Sequence, residues 1–498
     1  MRTNTQPEVI GAVAVNTVYL SIDVVLTAAL GMLFWIVAAR FVPVQDLGEA
    51  TIATTVATLF ALTAGTRIAA SKFIGEYKDK HDFGAIRRGV VTCAKITLLI
   101  GVGSMSIVFF VTPWLAKTVY ADPALVTLLP IAALLIPLIC IWDFLNGIFV
   151  GLQKAVYQLA VNTVISLSKI LLLIAFTYLG FKSESVVLAF LFSYLIAVVV
   201  AVLQAFVRIA PISFPKQSSP TPSDTKDERK IIGFSLANYG SNTIVKIKTT
   251  LPLLIIGLYS MSVVPLYNIA YLVTASTITL VSTVGIVFIP AVSKEMRSSL
   301  EKASELVNPV FATALMAAGP LFIALIVFPS NLLSLVSSEY VSAAPAMRIL
   351  AMGAIFVSFG AILQSLLNAS GKAKLVLGAT AVYTAIEMIS AYALINSYGM
   401  LGAAFSFLIS GLINSSISMY FVSHTGLSID FGRLLKPLFC IGFACALGLM
   451  LLNVMAQPVI PVALITGATY LGIARFSRAF GATEFNILWN AIKGSVGF

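Results

Sequence analysis

The chain is poor in charge. Of its 498 residues only 10% are Asp, Glu, Lys or Arg, against about 25% in an ordinary soluble protein. So little polar surface cannot cover a water-soluble core, which excludes a cytosolic enzyme and a disordered chain. Histidine is almost missing: His81 and His424 are the two, both in polar connections, so a histidine-based metal centre is excluded. The four cysteines (Cys93, Cys140, Cys440, Cys445) lie in apolar runs without a CxxC spacing. They read as small buried hydrophobes, not as a disulfide scaffold, metal site or redox site. No Walker A, GxSxG or HExxH sequence occurs, and no long outer connection carries paired carboxylates. An enzyme is therefore not expected, and neither is a cofactor or a metal.

What the chain has in quantity is apolar length: 59% hydrophobic residues and a mean hydropathy of +1.00. A hydrocarbon core of about 30 Å takes roughly 20 apolar residues of helix. Fourteen segments qualify: 13–39, 47–70, 90–111, 124–150, 157–179, 186–207, 231–258, 265–292, 306–328, 344–367, 375–395, 401–422, 437–454 and 459–473. None alternates with the period of two that a membrane barrel strand needs. The first is too long for a signal-peptide core and has no small-residue cleavage pattern after it, so it reads as a retained helix. The fold class expected is an all-α polytopic membrane protein.

The net charge of +11 is explained by placement, without nucleic acid as a partner. With the N-terminus in the cytoplasm, 22 of the 31 Lys and Arg fall on cytoplasmic connections and termini. Four fall outside (Arg40, Lys117, Lys182, Arg348) and five inside segments. One missed helix would scramble that alternation, so the charges support both the even count and cytoplasmic termini.

The stretch 209–230 (IAPISFPKQSSPTPSDTKDERK) is the one long Pro/Ser-rich charged connection and reads as a cytoplasmic linker. The halves it joins look alike. Gly151-Leu152-Gln153-Lys154-Ala155 follows the fourth segment as Gly371-Lys372-Ala373-Lys374 follows the tenth, and 43–54 corresponds to 262–273 at nearly the same offset. The organisation expected is an N-lobe (1–208), the linker (209–230), a parallel C-lobe (231–424), and two further helices with a cytoplasmic tail (425–498). Parallel repeats suggest two bundles with a substrate path between them.

Several segments carry ionisable residues where the bilayer makes them costly. Polar residues recur on single helical faces: Asn16, Tyr19, Asp23 and Thr27; Asn162, Ser166 and Lys169; Asn238, Asn242, Lys246 and Thr249; Tyr383, Glu387 and Ser390. Four such stripes suggest a shared hydrated interior. Asp23, Lys169, Lys246 and Glu387 lie about 10 to 16 residues into their helices, near mid-membrane. Lys248 is about 200° round the helix from Lys246, so one of the two faces such a cavity directly. Asp143 lies nearer the cytoplasmic end. Arg67 and Lys95 sit close enough to that end to snorkel. Interhelical structural pairing stays open as the alternative reading for each of these charges. Pro130, Pro137, Pro252, Pro290 and Pro320 interrupt segments and permit bends.

Fourteen helices in a 6+6+2 order, with AARFVPVQDLGEA at 38–50, the basic patch 72–88, Gly151–Ala155, LNASGK at 367–372 and Gly402-Ala403-Ala404-Phe405, resemble the polysaccharide-type flippases. These are the lipid-linked oligosaccharide exporters of the multidrug/oligosaccharidyl-lipid/polysaccharide (MOP) superfamily. The resemblance implies alternating access between two lobes. Its cargo would be a polyprenyl- or dolichyl-(pyro)phosphate-linked oligosaccharide, moved from the cytoplasmic to the outer leaflet of the cell membrane. On that reading Lys246, Lys169, Lys248, Arg67, Asn242 and Asn16 line the cavity and hold the head-group charge. Asp23, Glu387 and Asp143 serve ion coupling or gating, with H⁺ or Na⁺ as the coupling ion. The basic stretches 72–88 and 208–230 set topology and offer a surface for anionic lipid. Membrane lipids and glycan-assembly enzymes are the expected partners, and the protein is expected to act as a monomer. Two alternatives stand beside this reading: a multidrug or cation antiporter of the same superfamily, and an antiporter-like subunit of a redox-driven proton pump.

Overall fold

In a bilayer no water satisfies a backbone amide, so an apolar chain must close its hydrogen bonds within helices. The computed structural model, which describes residues 5–61, 65–79, 82–206, 224–298, 300–425, 430–454 and 459–476, is helical accordingly, with no strand among those residues. The helices are α1 (Thr5–Phe41), α2 (Val44–Phe60), α3 (Gly65–Asp79), α4 (Phe83–Trp114), α5 (Ala124–Ala133), α6 (Leu135–Gly151), α7 (Ala155–Tyr178), α8 (Ser183–Gln204) and α9 (Asp224–Tyr259). They continue with α10 (Val263–Ser298), α11 (Leu300–Val327), the short α12 (Pro329–Ser334), α13 (Ala344–Ala369), α14 (Ala373–Tyr398), α15 (Met400–Ser423), α16 (Phe431–Val454) and α17 (Val459–Phe476).

Each of the fourteen expected segments falls on a helix or a broken helix. Among the described residues eleven spans are long and apolar enough to cross a membrane, or twelve with the bent pair α2–α3 counted as one. The other two expected crossings are α9 and α11. The first is diluted by its polar and charged residues, and the second has its apolar part at Ala314–Val327. The sequence reading treats two spans as continuous that the structure divides. The second bends by 44° between α2 and α3. The fourth divides at Leu134 into α5 and α6. Pro137 lacks the N–H that would bond the carbonyl four residues back, which explains the second break. Of the linker expected over 209–230, residues 224–230 are already the first turns of α9, and the remainder lies outside the described residues.

The chain forms two compact units, Met1–Pro265 and Leu266–Phe498. In the first, α1, α7 and α8 pack together, α3 packs on α4 and α6, and α9 lies against α2, α3 and α4. The helix that the repeat assigns to the second half therefore packs within the first unit. Lipid tails are as apolar as leucine, so membrane helices associate through close packing at small residues. Gly147 and Gly151, one turn apart on α6, provide it. A Cβ on Gly147 would lie 2.5 Å from the Arg67 carbonyl oxygen, and one on Gly151 would lie 2.9 Å from that of Ser71.

In the second unit α13, α14 and α15 pack together, and α11 packs on α13, α16 and α17. Small and hydroxyl residues of α15 (Gly402, Ala403, Ser406, Ser410, Gly411, Ser415, Ser418) are buried. Ser415 donates to the Phe356 carbonyl of α13 at 2.6 Å, and Gln364 donates to Asn414 Oδ1 at 2.7 Å. Tyr470 of α17 donates to the Met316 carbonyl of α11 at 2.7 Å, fixing the last helix to this unit.

Candidate functional site

The first unit concentrates the charge. Asp23 of α1 is 4% exposed, and among the described residues its carboxylate meets neutral donors only. Gln158 Nε2 lies at 2.7 Å from Oδ2, Asn162 Nδ2 at 2.8 and 3.0 Å from the two oxygens, and Thr27 Oγ1 at 3.3 Å. Asn162 in turn accepts from Trp142 Nε1 at 3.0 Å and Asn146 Nδ2 at 3.3 Å. Two buried acceptors border this network without a partner among the described residues, Gln158 Oε1 and Asn146 Oδ1. A carboxylate ringed by amides, with spare carbonyl oxygens beside it, presents oxygen ligands of the kind a small cation takes. Among the described residues it forms no ion pair with a lysine. The stripes on α1 and α7 pointed to Asp23 and Asn162. Gln158, Trp142 and Asn146 went unremarked, although Gln158 stands one helical turn before Asn162.

Lys246 of α9 reaches the carboxyl-terminal end of α2, donating to the Thr58 carbonyl at 3.0 Å and to the Ala61 carbonyl. The last carbonyls of a helix have no intrahelical partner, and α2 ends at Phe60, within the second expected segment. One turn or more earlier on α9, Tyr239 donates to Thr66 Oγ1 at 3.2 Å, and Thr97 donates to the same oxygen at 2.9 Å. Beyond the break, Arg67 pairs with the buried Asp143 at 3.3 Å. The Arg67 side chain stays 36% exposed in this pair. Asp143, Gly147 and Gly151 stand at i, i+4 and i+8 on α6, so the face that admits the α3 backbone also brings the carboxylate to Arg67.

Lys169 of α7 lies in an aromatic enclosure. Its ammonium is 4.2 Å from the Phe190 ring centre, 5.5 Å from Phe34 and 5.6 Å from Tyr194. Cation–π contact at these distances holds an ammonium without neutralising it. Tyr194 also meets Trp142 edge-on at 5.5 Å, which joins this enclosure to the Asp23 network. Neither Lys169 nor Lys246 is ion-paired among the described residues.

Of the remaining expected positions, Asn16, Asn242 and Glu387 make hydrogen bonds within or between helices. Asn16 accepts from the Ala155 N–H at 2.7 Å and so caps the start of α7 from α1. Asn242 donates to the Asn238 carbonyl of its own helix at 2.9 Å. Lys248 is half-buried. Glu387, in the second unit, is 3% exposed and accepts from Ser410 of α15 at 2.6 Å. Lys95 is exposed, as a snorkelling residue is. At the basic end of the first unit Lys78 donates to the Leu152 carbonyl that follows α6, at 3.1 Å, and Lys72 lies 4.3 Å from the Phe234 ring. At the opposite end Glu49, which sequence reasoning passed over, is 7% exposed and accepts from Gln45 at 3.4 Å. Its spacing after Asp46 (i, i+3) was the available signal. Among the described residues no group of three His, Cys, Asp or Glu could hold a metal ion.

A family model described as polysaccharide biosynthesis protein matches residues 13–296. The chain belongs to that family. A membrane protein of Methanocaldococcus jannaschii, MJ1068, is 26% identical over 193 residues, and the chain spans 38% of that relative's length. Among solved structures, lipid II flippase MurJ in an inward closed conformation is similar with a TM-score of 0.73, at 16% identity, over 92% of this chain and 98% of that one. A multidrug resistance MATE family transporter of the MOP superfamily, inward-facing, is similar with a TM-score of 0.63, at 17% identity, over 82% and 98%. A MOP superfamily transporter from Pyrococcus furiosus is similar with a TM-score of 0.54, at 17% identity, over 83% and 96%. The protein is thus a multi-pass membrane protein of the polysaccharide biosynthesis family, with the fold of these MOP superfamily structures.

Proposed function

We propose that the protein is a flippase for a polyprenyl- or dolichyl-(pyro)phosphate-linked oligosaccharide, working by alternating access and driven by H⁺ or Na⁺. The observation that carries this reading is the state of Lys246 and Lys169. Both ammonium groups are held by neutral partners, backbone carbonyls and aromatic faces, and among the described residues neither has a carboxylate at contact distance. In a medium of low dielectric such a charge strongly attracts a phosphate. A pyrophosphate head carries the complementary charge, while the polyprenyl tail stays in lipid. A drug cation would meet repulsion at the same place.

Asp23 is the coupling residue on this reading. Protonation or Na⁺ binding would change how its carboxylate holds Gln158 and Asn162, and with them the register of α1 on α7. Lys248 adds charge near the head group, and the Arg67–Asp143 pair positions the break in the second span. The membrane is the cell membrane, with both termini in the cytoplasm. The test is depletion of the protein in its host, followed by identification of lipid-linked glycans by leaflet. Accumulation of one such glycan on the cytoplasmic leaflet is expected. An unchanged leaflet distribution with altered drug sensitivity would transfer the protein to the drug-export branch.

A further inference from the structure

We infer that the lipid-facing side of α4 binds the phosphate of an anionic phospholipid through Lys95, Thr92 and Arg88. Lys95 stands at the middle of the exposed arc of that helix. Val91, Leu98, Leu99 and Val102 lie within about 60° of it round the helix and are 44, 50, 76 and 47% exposed. Thr97, about 200° round, points the other way and donates to Thr66 of α3 at 2.9 Å. Lys95 is itself exposed, and among the described residues it has no ion pair. It lies about 8 Å inside the apolar part of the span that begins at Val90. An ammonium facing lipid at that depth is costly until it meets an anion or reaches the head-group layer.

Polar groups lead from Lys95 toward that layer. Thr92 and Arg88 precede it by three and seven residues, on the same helical face. Both line a pocket completed by Tyr77 of α3 and by Glu228 and Ile231 of α9. A phosphodiester beside it would meet an ammonium, a hydroxyl and a guanidinium, the donors its oxygens accept from. Glu228 is the one carboxylate among the described residues of the pocket, and Arg229 and Lys230 follow it, exposed, on the same turn. With Arg87 also exposed at the head of the arc, positive charge outweighs negative there. Beyond Lys95, Leu99 and Val102 offer an acyl chain an exposed apolar track. The face opens to the bilayer and away from the Thr66–Tyr239 contact with α9. Its occupant is therefore a phospholipid of the surrounding leaflet, present in large excess over any transported lipid.

The test is native mass spectrometry of the purified full-length protein, released from nanodiscs of equal parts phosphatidylcholine and phosphatidylglycerol. The parent should retain one phosphatidylglycerol in preference to phosphatidylcholine. Lys95→Met keeps the apolar stem and should weaken that preference about fivefold, the effect of removing one basic group beside an anionic head group. Arg88→Gln should weaken it similarly, and Lys95→Arg should preserve it. Lys374→Met removes an exposed lysine at the start of α14 and should leave the preference unchanged. Equal losses for Lys95→Met and Lys374→Met would mean diffuse attraction by net charge and would overturn the inference, as would a parent without preference. Displacement of the bound phosphatidylglycerol by an equimolar amount of polyprenyl phosphate would make the face a substrate site and overturn it as well.

Discussion

The two units solve the same problem with different residues. Both must hold polar side chains within a bilayer. The first does so with charge: Asp23, Arg67, Asp143, Lys169 and Lys246 all lie in its spans, each met by a different kind of partner. The second does so mainly with hydroxyls and amides. Serines of α15 bond their own or neighbouring backbone, Asn414 meets Gln364, and the buried Glu387 meets Ser410. Neutral polar contacts between membrane helices are worth about 1 kcal/mol each and need no counter-charge. Buried ionic groups cost more and are retained where a charge is used. On the proposed function, the hydroxyl stripe serves packing and the charges of the first unit serve transport.

The contrast can be broken at several points. The largest effect is expected at α6. Gly147→Leu drives a side chain into the α3 backbone and should destabilise the protein by about 3 kcal/mol, read as loss of monodisperse protein or a collapsed melting temperature. Its counterpart Gly378→Leu on α14, where a Cβ meets nothing within 4 Å, should change stability by less than about 0.5 kcal/mol. Next comes Lys246→Met. Loss of one charged contact of about 1.5–3 kcal/mol predicts a roughly 10- to 100-fold slower flipping rate in proteoliposomes. Arg348→Met in the second unit removes a bond to the Ile326 carbonyl and should leave that rate within about twofold.

A third pair sharpens the comparison between carboxylates. Asp23→Asn should fold, since Gln158 can turn its amide to meet the new side chain, and should abolish the dependence of transport on the Na⁺ or H⁺ gradient. Glu387→Gln should keep that dependence, because Ser410 can donate equally well to an amide oxygen. Apart from the controls, the smallest effect is expected for Lys169→Met, which retains volume beside the rings. It should cost about 1–2 kcal/mol of stability while lowering substrate affinity.

The crossings were legible because hydropathy and the side preference of Lys and Arg are summed over many residues. Local geometry was not. A 3.6-residue period placed Asn16, Asp23 and Asn162 on inward faces, yet it could not tell Asn16, which caps α7, from Asp23, which gathers amides. Lys246 looked like a cavity lysine, and its partners are backbone carbonyls at the end of α2, a feature no side chain announces. Lys169 gave no sign of its enclosure, since Phe34, Phe190 and Tyr194 arrive from two other helices. Arg67 and Asp143 were singled out separately, and only the Gly147–Gly151 face shows why they meet.

The central claim is that uncompensated ammonium groups in the first unit recognise an anionic lipid head. The most direct measurement is binding of polyprenyl pyrophosphate against uncharged polyprenol to the protein in nanodiscs, for the parent and for the Lys169→Met, Lys246→Met double variant. The account predicts that the parent prefers the pyrophosphate lipid by roughly tenfold or more and that the double variant loses this preference. An equal preference in both proteins would contradict it.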